Sequence, residues 1–137
     1  MKNAIIPSIK YRNSKAALEW LCESFGFEKH LVVEGEDDRI EHAQLNIGDA
    51  MIMIGSADSG TYGKNFKTPD ELDGINTQAP YLIISDVDSH YDKAVANNAE
   101  IILPLKAEEY GGKSYTCRDL EGNIWTFGSY DPWRKLQ

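Results

Sequence analysis

The sequence predicts an α+β fold of two tandem βαβββ modules, together forming a curved mixed sheet that bears a cleft. Three observations carry that prediction. The stretches NIGDAMIMIG at 46–55 and DLEGNIWTFG at 119–128 each run from a polar, glycine-bearing turn into a short apolar strand ending in Gly. A single offset of 73 residues pairs Asn13 with Asp86, Gly55 with Gly128 and Ser56 with Ser129, so helix starts and closing strands align without a gap. Neither module alone could bury enough apolar surface, so both are needed for one core. At 137 residues a single domain is expected, with modules at about 4–56 and 80–130 and a linker at 57–79.

The elements follow in order. AIIPSIKYR at 4–12 reads as a first strand. Asn13 or Ser14 can cap a helix in which Leu18, Leu21, Cys22 and Phe25 share one face, and Gly26 supplies its left-handed stop. KHLVVEG, IEHAQLNI and AMIMIG are three short strands between acidic or glycine turns. The linker has little periodicity and is long for a compact domain, which suits either a functional or mobile loop or a solvated connector. Its Tyr62 and Phe66 are unusual for the latter. PYLIIS then opens the second module, Asp86 or Asp88 caps the helix SHYDKAVANNA, and EIILPL, SYTCRDL and NIWTFGSY complete it.

Bulk composition removes several function classes. With 42% hydrophobic and 26% charged residues and no apolar run longer than a few residues, nothing predicts a membrane span. MKNAIIPSIKY lacks the pattern of a secretion signal, so a cytoplasmic location is expected. Fourteen basic against 22 acidic residues give a net charge of −8, which argues against nucleic-acid binding. The same charge permits a cationic ligand, although solubility is the simpler reading. Cys22 and Cys117 have no metal-ligand spacing and are expected to be reduced thiols.

Strand parity locates the candidate cleft. In IEHAQLNI, Ala43, Leu45 and Ile47 lie on one face, and His42 and Gln44 on the other. The offset pairs His42 with Tyr115 and Gln44 with Cys117, so all four are expected to line the cleft. Ile52, Ile54, Trp125 and Phe127 are expected beneath a helix, which leaves Met51, Met53, Ile124 and Thr126 as cleft floor. Two thioethers, an Ile and a Thr make a soft apolar surface suited to a flat or greasy molecule. Tyr62 and Phe66 could close over it, with Tyr11, Tyr110 and Trp133 as weaker rim candidates. His42 is either a hydrogen-bonded edge residue or a weak candidate acid/base. His30 and His90 read as surface residues.

The element order, the helix NSKAALEWLCESFGF and the closing RDLEGNIWTFGSYDPW resemble the vicinal oxygen chelate superfamily, the glyoxalase/bleomycin resistance/dioxygenase proteins, over about residues 4–133. Leu120 stands where the small members' tail motif commonly has Pro. The resemblance implies a divalent metal held by His, Glu or Gln from the first and last strands of each module. Those positions fall around Ile6 to Ser8, around Ala79 to Tyr81, and at Met53 and Thr126, none of them a His or carboxylate, so no metal and no cofactor are expected. The resemblance further implies a homodimer, in some members with the cleft completed by the partner chain. The expected function is binding of a small apolar, aromatic or cationic molecule in a metal-free cleft, as in drug sequestration of the bleomycin-resistance type. The alternatives are a lyase, isomerase or dioxygenase that is metal-dependent or uses His42, and an assembly role that leaves the cleft unused.

Overall fold

A computed structural model describes residues 2–58 and 62–134. The linker residues 59–61 lie outside the described residues. Strand β1 (Ser8–Tyr11) leads to helix α1 (Ser14–Phe25) and then to β2 (Glu28–Glu34), β3 (Ile40–Ile47) and β4 (Ala50–Ser56). Two short 3-10 turns, Tyr62–Asn65 and Pro69–Leu72, occupy the linker. The second module repeats the order with β5 (Tyr81–Ile83), α2 (Val87–Ala96), β6 (Glu100–Ala107), β7 (Lys113–Arg118) and β8 (Ile124–Gly128).

The capping chemistry is local and legible. Asn13 accepts a hydrogen bond from the Ala16 amide at the start of α1, and Gly26 takes φ 80° at its end. Ser14 turns inward instead, where its hydroxyl meets Ser56 and the Ile40 amide. Asp86, not Asp88, caps α2 by accepting from the Ser89 amide. Residues 2–7 do not extend β1, although the Pro7 carbonyl still accepts from Met53 and continues the ladder's line.

Hydrogen bonding runs through two four-stranded mixed sheets, ordered β1-β4-β3-β2 and β5-β8-β7-β6, rather than one continuous eight-stranded sheet. In each, the first strand pairs parallel with the last and the other pairs are antiparallel. Strands β1 and β5 are the edges at which a continuous sheet would have to join, and among the described residues no ladder links them.

The two sheets nevertheless share one core. Ala43, Leu45, Ile52 and Ile54 of the first sheet and Tyr115, Cys117, Trp125 and Phe127 of the second are buried in a single apolar cluster with Leu18, Leu21 and Phe25 of α1. Phe25 is the hub, with ring centroids 4.7 Å from Phe127, 5.5 Å from Trp125 and 4.9 Å from Trp20. This face of each sheet is the inner face below. The opposite, outer faces carry the half-exposed side chains.

His90 belongs to this core, which corrects its reading as a surface residue. Its Nε2 lies 2.8 Å from the Phe25 carbonyl, which can only accept, so Nε2 carries the proton. In a neutral ring Nδ1 must then accept, and the Tyr115 hydroxyl donates to it. Burial lowers the His90 pKa, the Phe25 bond opposes that shift and nearby Lys93 adds to it. The helix α2 is thereby fastened to the end of α1.

Candidate functional site

The outer face of the first sheet is built by alternation. Register places Leu31, Gln44, Met53 and Ser8 in one row across β2, β3, β4 and β1. Val33 lies opposite His42, and Met51 lies opposite Asn46. Leu31 and Val33 are 44% and 45% exposed, too much for core residues, so this apolar surface is open. His42 Nε2 stands 3.2 Å from Gln44 Nε2, so the carboxamide donates to that nitrogen and the ring proton sits on Nδ1.

The matching row of the second sheet is Leu103, Thr116, Thr126 and Tyr81. The Thr116 and Thr126 hydroxyls satisfy one another at 2.8 Å. Ile124 lies on the same face beside Arg118.

Tyr115 and Cys117 are not on this face, and both are withdrawn from the cleft lining. They are 1% and 0% exposed and sit on the inner face with Ala43 and Leu45. The cause is one residue. Leu45 pairs with Ile52 in the first hairpin, and Cys117 pairs with Trp125 in the second. The closing strands obey the 73-residue offset, but the strands before them obey 72, because the second turn holds one more residue. A shift of one residue exchanges the faces of a strand. The true partner of Gln44 is therefore Thr116, which the sequence offset passed over. Burial pushes the Cys117 thiol up to about 12, so it is no nucleophile at neutral pH.

The longer turn has a structural use. Asp119, 6% exposed, accepts from the Tyr11 hydroxyl at 2.6 Å, from Trp125 Nε1 at 3.1 Å and from the amides of Glu121 and Asn123 at 3.0 Å each. Glu121 in turn accepts from the Arg12 and Asn13 amides. The end of β1 and the second closing turn are thus locked together. Tyr11 is fully buried by this arrangement and cannot serve as a rim residue.

The linker is tied down on the same side. Asn76 donates to the Gly122 carbonyl and accepts from the Ile124 amide, and Arg118 donates to the carbonyls of Gly74 and Gly122. Tyr62 and Phe66 pack edge to face at 4.9 Å, with the Lys10 ammonium 5.4 Å and 5.7 Å from their ring centroids. A cavity of about 330 Å³ runs between Ile9 and Lys10 on one side and Pro80 and Ile124 on the other, walled by Phe66 and Leu72. It brings together Phe66 and Ile124 but does not reach His42, Gln44, Met51 or Met53. Lys10, missed in the sequence, was signalled by its alternation with Ile9 and Tyr11 on β1.

The strand positions at which relatives place metal donors are now adjacent in register. Ser8 pairs with Met53, and Tyr81 with Thr126. A thioether, two aliphatic hydroxyls and a phenol do not fit a divalent metal that chelates substrate oxygens. Among the described residues no group of three or more His, Cys, Asp or Glu side chains could hold a metal ion.

With this geometry, comparison with known proteins is decisive for the family. A profile described as Glyoxalase/Bleomycin resistance protein/Dioxygenase superfamily matches residues 9–127. The chain belongs to that superfamily. An uncharacterized protein of Mycobacterium bovis is 23% identical over 125 residues, covering 91% of this chain and 82% of its own length. The crystal structure of TioX from Micromonospora sp. ML1 superposes with a TM-score of 0.72 at 25% identity, over 93% of this chain and 98% of that one. A glyoxalase-related enzyme from Fulvimarina pelagi superposes with a TM-score of 0.64 at 14% identity, over 100% of this chain and 94% of that one. That likeness shows the glyoxalase fold alone. No helix among the described residues is long and apolar enough to cross a membrane.

Proposed function

We propose that this superfamily member binds a small, flat, apolar or aromatic organic molecule without a metal, on a cleft with two parts: the outer face of the first sheet, with Met51, Met53, Gln44 and His42, and the cavity beside it lined by Ile124 and Phe66, with Thr126 on the outer face of the second sheet. The observation that carries the reading is the outer face of the first sheet, an open apolar surface whose metal-donor position is Met53. Methionine adapts its shape to varied aromatic ligands, as sequestration of a drug-like molecule requires. The linker pair Tyr62 and Phe66 adds a stacking wall. Because Lys10 already occupies their electron-rich faces, an aromatic ring suits this part of the cleft better than a cation.

The cleft is completed in a homodimer. Half-exposed Leu31, Val33, Ile83 and Leu103 on the outer faces supply apolar surface that a second copy would cover. Light scattering in solution tests this: a monomeric mass at micromolar concentration overturns the dimer.

A thermal-shift screen with planar aromatic compounds, cationic and neutral, tests the binder, because a ligand selective for the native state raises Tm. The expected result is at least one compound that stabilises the wild type and not Met53→Arg. If none does so, the reading fails. Stoichiometric Ni, Zn, Mn or Fe in the purified protein would overturn its metal-free part. The alternative is a lyase, isomerase or dioxygenase reaction that is metal-dependent or uses His42, whose Nε2 stands 3.2 Å from the Gln44 carboxamide nitrogen, as acid/base.

A further inference from the structure

At the edge of the second sheet, where Tyr81 pairs with Thr126, an open surface depression of about 320 Å³ is lined by Tyr81, Tyr110, Tyr130 and Pro132. Tyr110 and Tyr130 meet at 4.9 Å with planes 72° apart, so two ring faces form adjoining walls. Tyr81 is held by its hydroxyl, which donates to the Tyr130 carbonyl at 2.6 Å. A Cβ on Gly128 would come within 2.7 Å of that hydroxyl, so the glycine ending β8 makes room for the ring.

The walls are preorganised by backbone rather than by mobile side chains. Glu108 and Gly112 close the turn that carries Tyr110, with the Glu108 amide donating to the Gly112 carbonyl at 2.9 Å. Gly112 takes φ 70°, and a Cβ there would meet the Tyr130 amide nitrogen at 2.8 Å. Lys113 and Ser129 exchange bonds in both directions, clamping that turn to the segment bearing Tyr130.

The sequence on either side of these tyrosines is acidic. Glu108, Glu109 and Asp131 flank the tyrosines in sequence, and the Lys113 ammonium is drawn away to Asp88 at 3.1 Å. The Tyr81 hydroxyl pKa lies above the ordinary tyrosine value, chiefly because the group is partly buried, with Tyr110 and then Asp131 adding to the rise. Arg134 is the one basic residue among 128–134. No cation on this chain is seated on these rings as Lys10 is on Tyr62 and Phe66, among the contacts of the described residues.

We propose that Tyr81, Tyr110 and Tyr130 form a cage for a small alkylated ammonium group, such as a quaternary amine, distinct from the Met-floored cleft. Perpendicular electron-rich ring faces attract a diffuse cation and admit its methyl groups, while the surrounding carboxylates raise its local concentration. A compact, strongly hydrated ammonium such as that of lysine gains less, because it must shed more water to reach the rings. This proposal stands independently of the cleft reading.

Proton NMR of choline added to the full-length protein tests it, with 3,3-dimethylbutan-1-ol as the neutral isostere. Ring currents should move the choline methyl resonance upfield in a saturable way, and the isostere should bind at least about fivefold more weakly. Tyr110→Leu, at an exposed position, should weaken choline about five- to tenfold with the far-UV spectrum unchanged. Tyr81→Phe, which keeps the ring and loses the lock, should weaken it less. Met53→Arg should bind choline as wild type does, so failure of the cleft reading leaves this one standing. Equal binding of choline and isostere, no saturable shift, or wild-type affinity in Tyr110→Leu overturns the cage. So does a Tyr110→Leu variant that changes molecular mass in solution, which would make the tyrosines a contact between copies.

Discussion

The two closing turns began as the most similar parts of the sequence and end as the least similar in role. In the first, a short surface reversal follows β3, and Asn46 near the end of that strand donates from Nδ2 to the Gly48 carbonyl at 3.5 Å. In the second, Asp119 is buried and gathers donors from β1, β8 and its own turn. The second turn is one residue longer than the first, and where the first is a surface reversal the second is the joint between modules. Tyr115 and Cys117 occupy the core places that Ala43 and Leu45 hold in the first module, so the longer turn changes the fastening while the inner face keeps its pattern.

The sharpest way to break the comparison is to remove the two turn residues in parallel. Asp119→Ala would strand the Tyr11 hydroxyl, the Trp125 indole and two backbone amides, and should cost about 3–4 kcal/mol in urea unfolding. Asn46→Ala, which loses a single long bond at a half-buried strand position, should cost less than about 1 kcal/mol. Equal losses would refute a keystone role for the second turn. Tyr11→Phe removes one donor from Asp119 and should cost about 1–2 kcal/mol, with Asp119→Ala and the double variant showing strong non-additivity.

The fastening of α2 through His90 should appear as a pH dependence. The folded pKa lies below the ordinary 6.5, so on acidification the unfolded chain takes up this proton first. Its contribution is complete above about pH 6.5 and is lost as pH falls toward the depressed folded value. Between pH 7.5 and 5.5 the wild type should therefore lose more unfolding free energy than His90→Gln. Parallel slopes for the two proteins would show that His90 does not carry the effect. A small effect is also expected on the outer face, where Thr126→Val should cost under about 1 kcal/mol by leaving Thr116 a hydroxyl that solvent can satisfy.

Much of the fold could be read from short-range chemistry. Helix caps at Asn13, Gly26 and Asp86, the alternation in IEHAQLNI and AMIMIG, and the 73-residue offset of helix starts and closing strands all depend on neighbours in sequence. The candidate site was legible only where parity sufficed: Met51, Met53, His42 and Gln44 stand on the outer face for that reason. Tyr115 and Cys117 could not be placed, because the offset that orders one strand of a hairpin carries no information about the length of its turn. His90 looked solvated because nothing in its helix announces that the Phe25 carbonyl and Tyr115 await it across the core.

By itself, then, the sequence determined the two modules, their element order and the soft, metal-poor character of Met53 and Thr126, since these follow from periodicity, capping and side-chain chemistry. The tertiary structure decided which residues meet. It joined the modules through Asp119 and Phe25, kept β1 and β5 as unpaired edges between two sheets, seated Lys10 on Tyr62 and Phe66, and drew three tyrosines from distant segments around one cavity. The physical reason is that contacts between segments far apart in the chain are set by packing and turn length together, and neither is encoded in any local stretch.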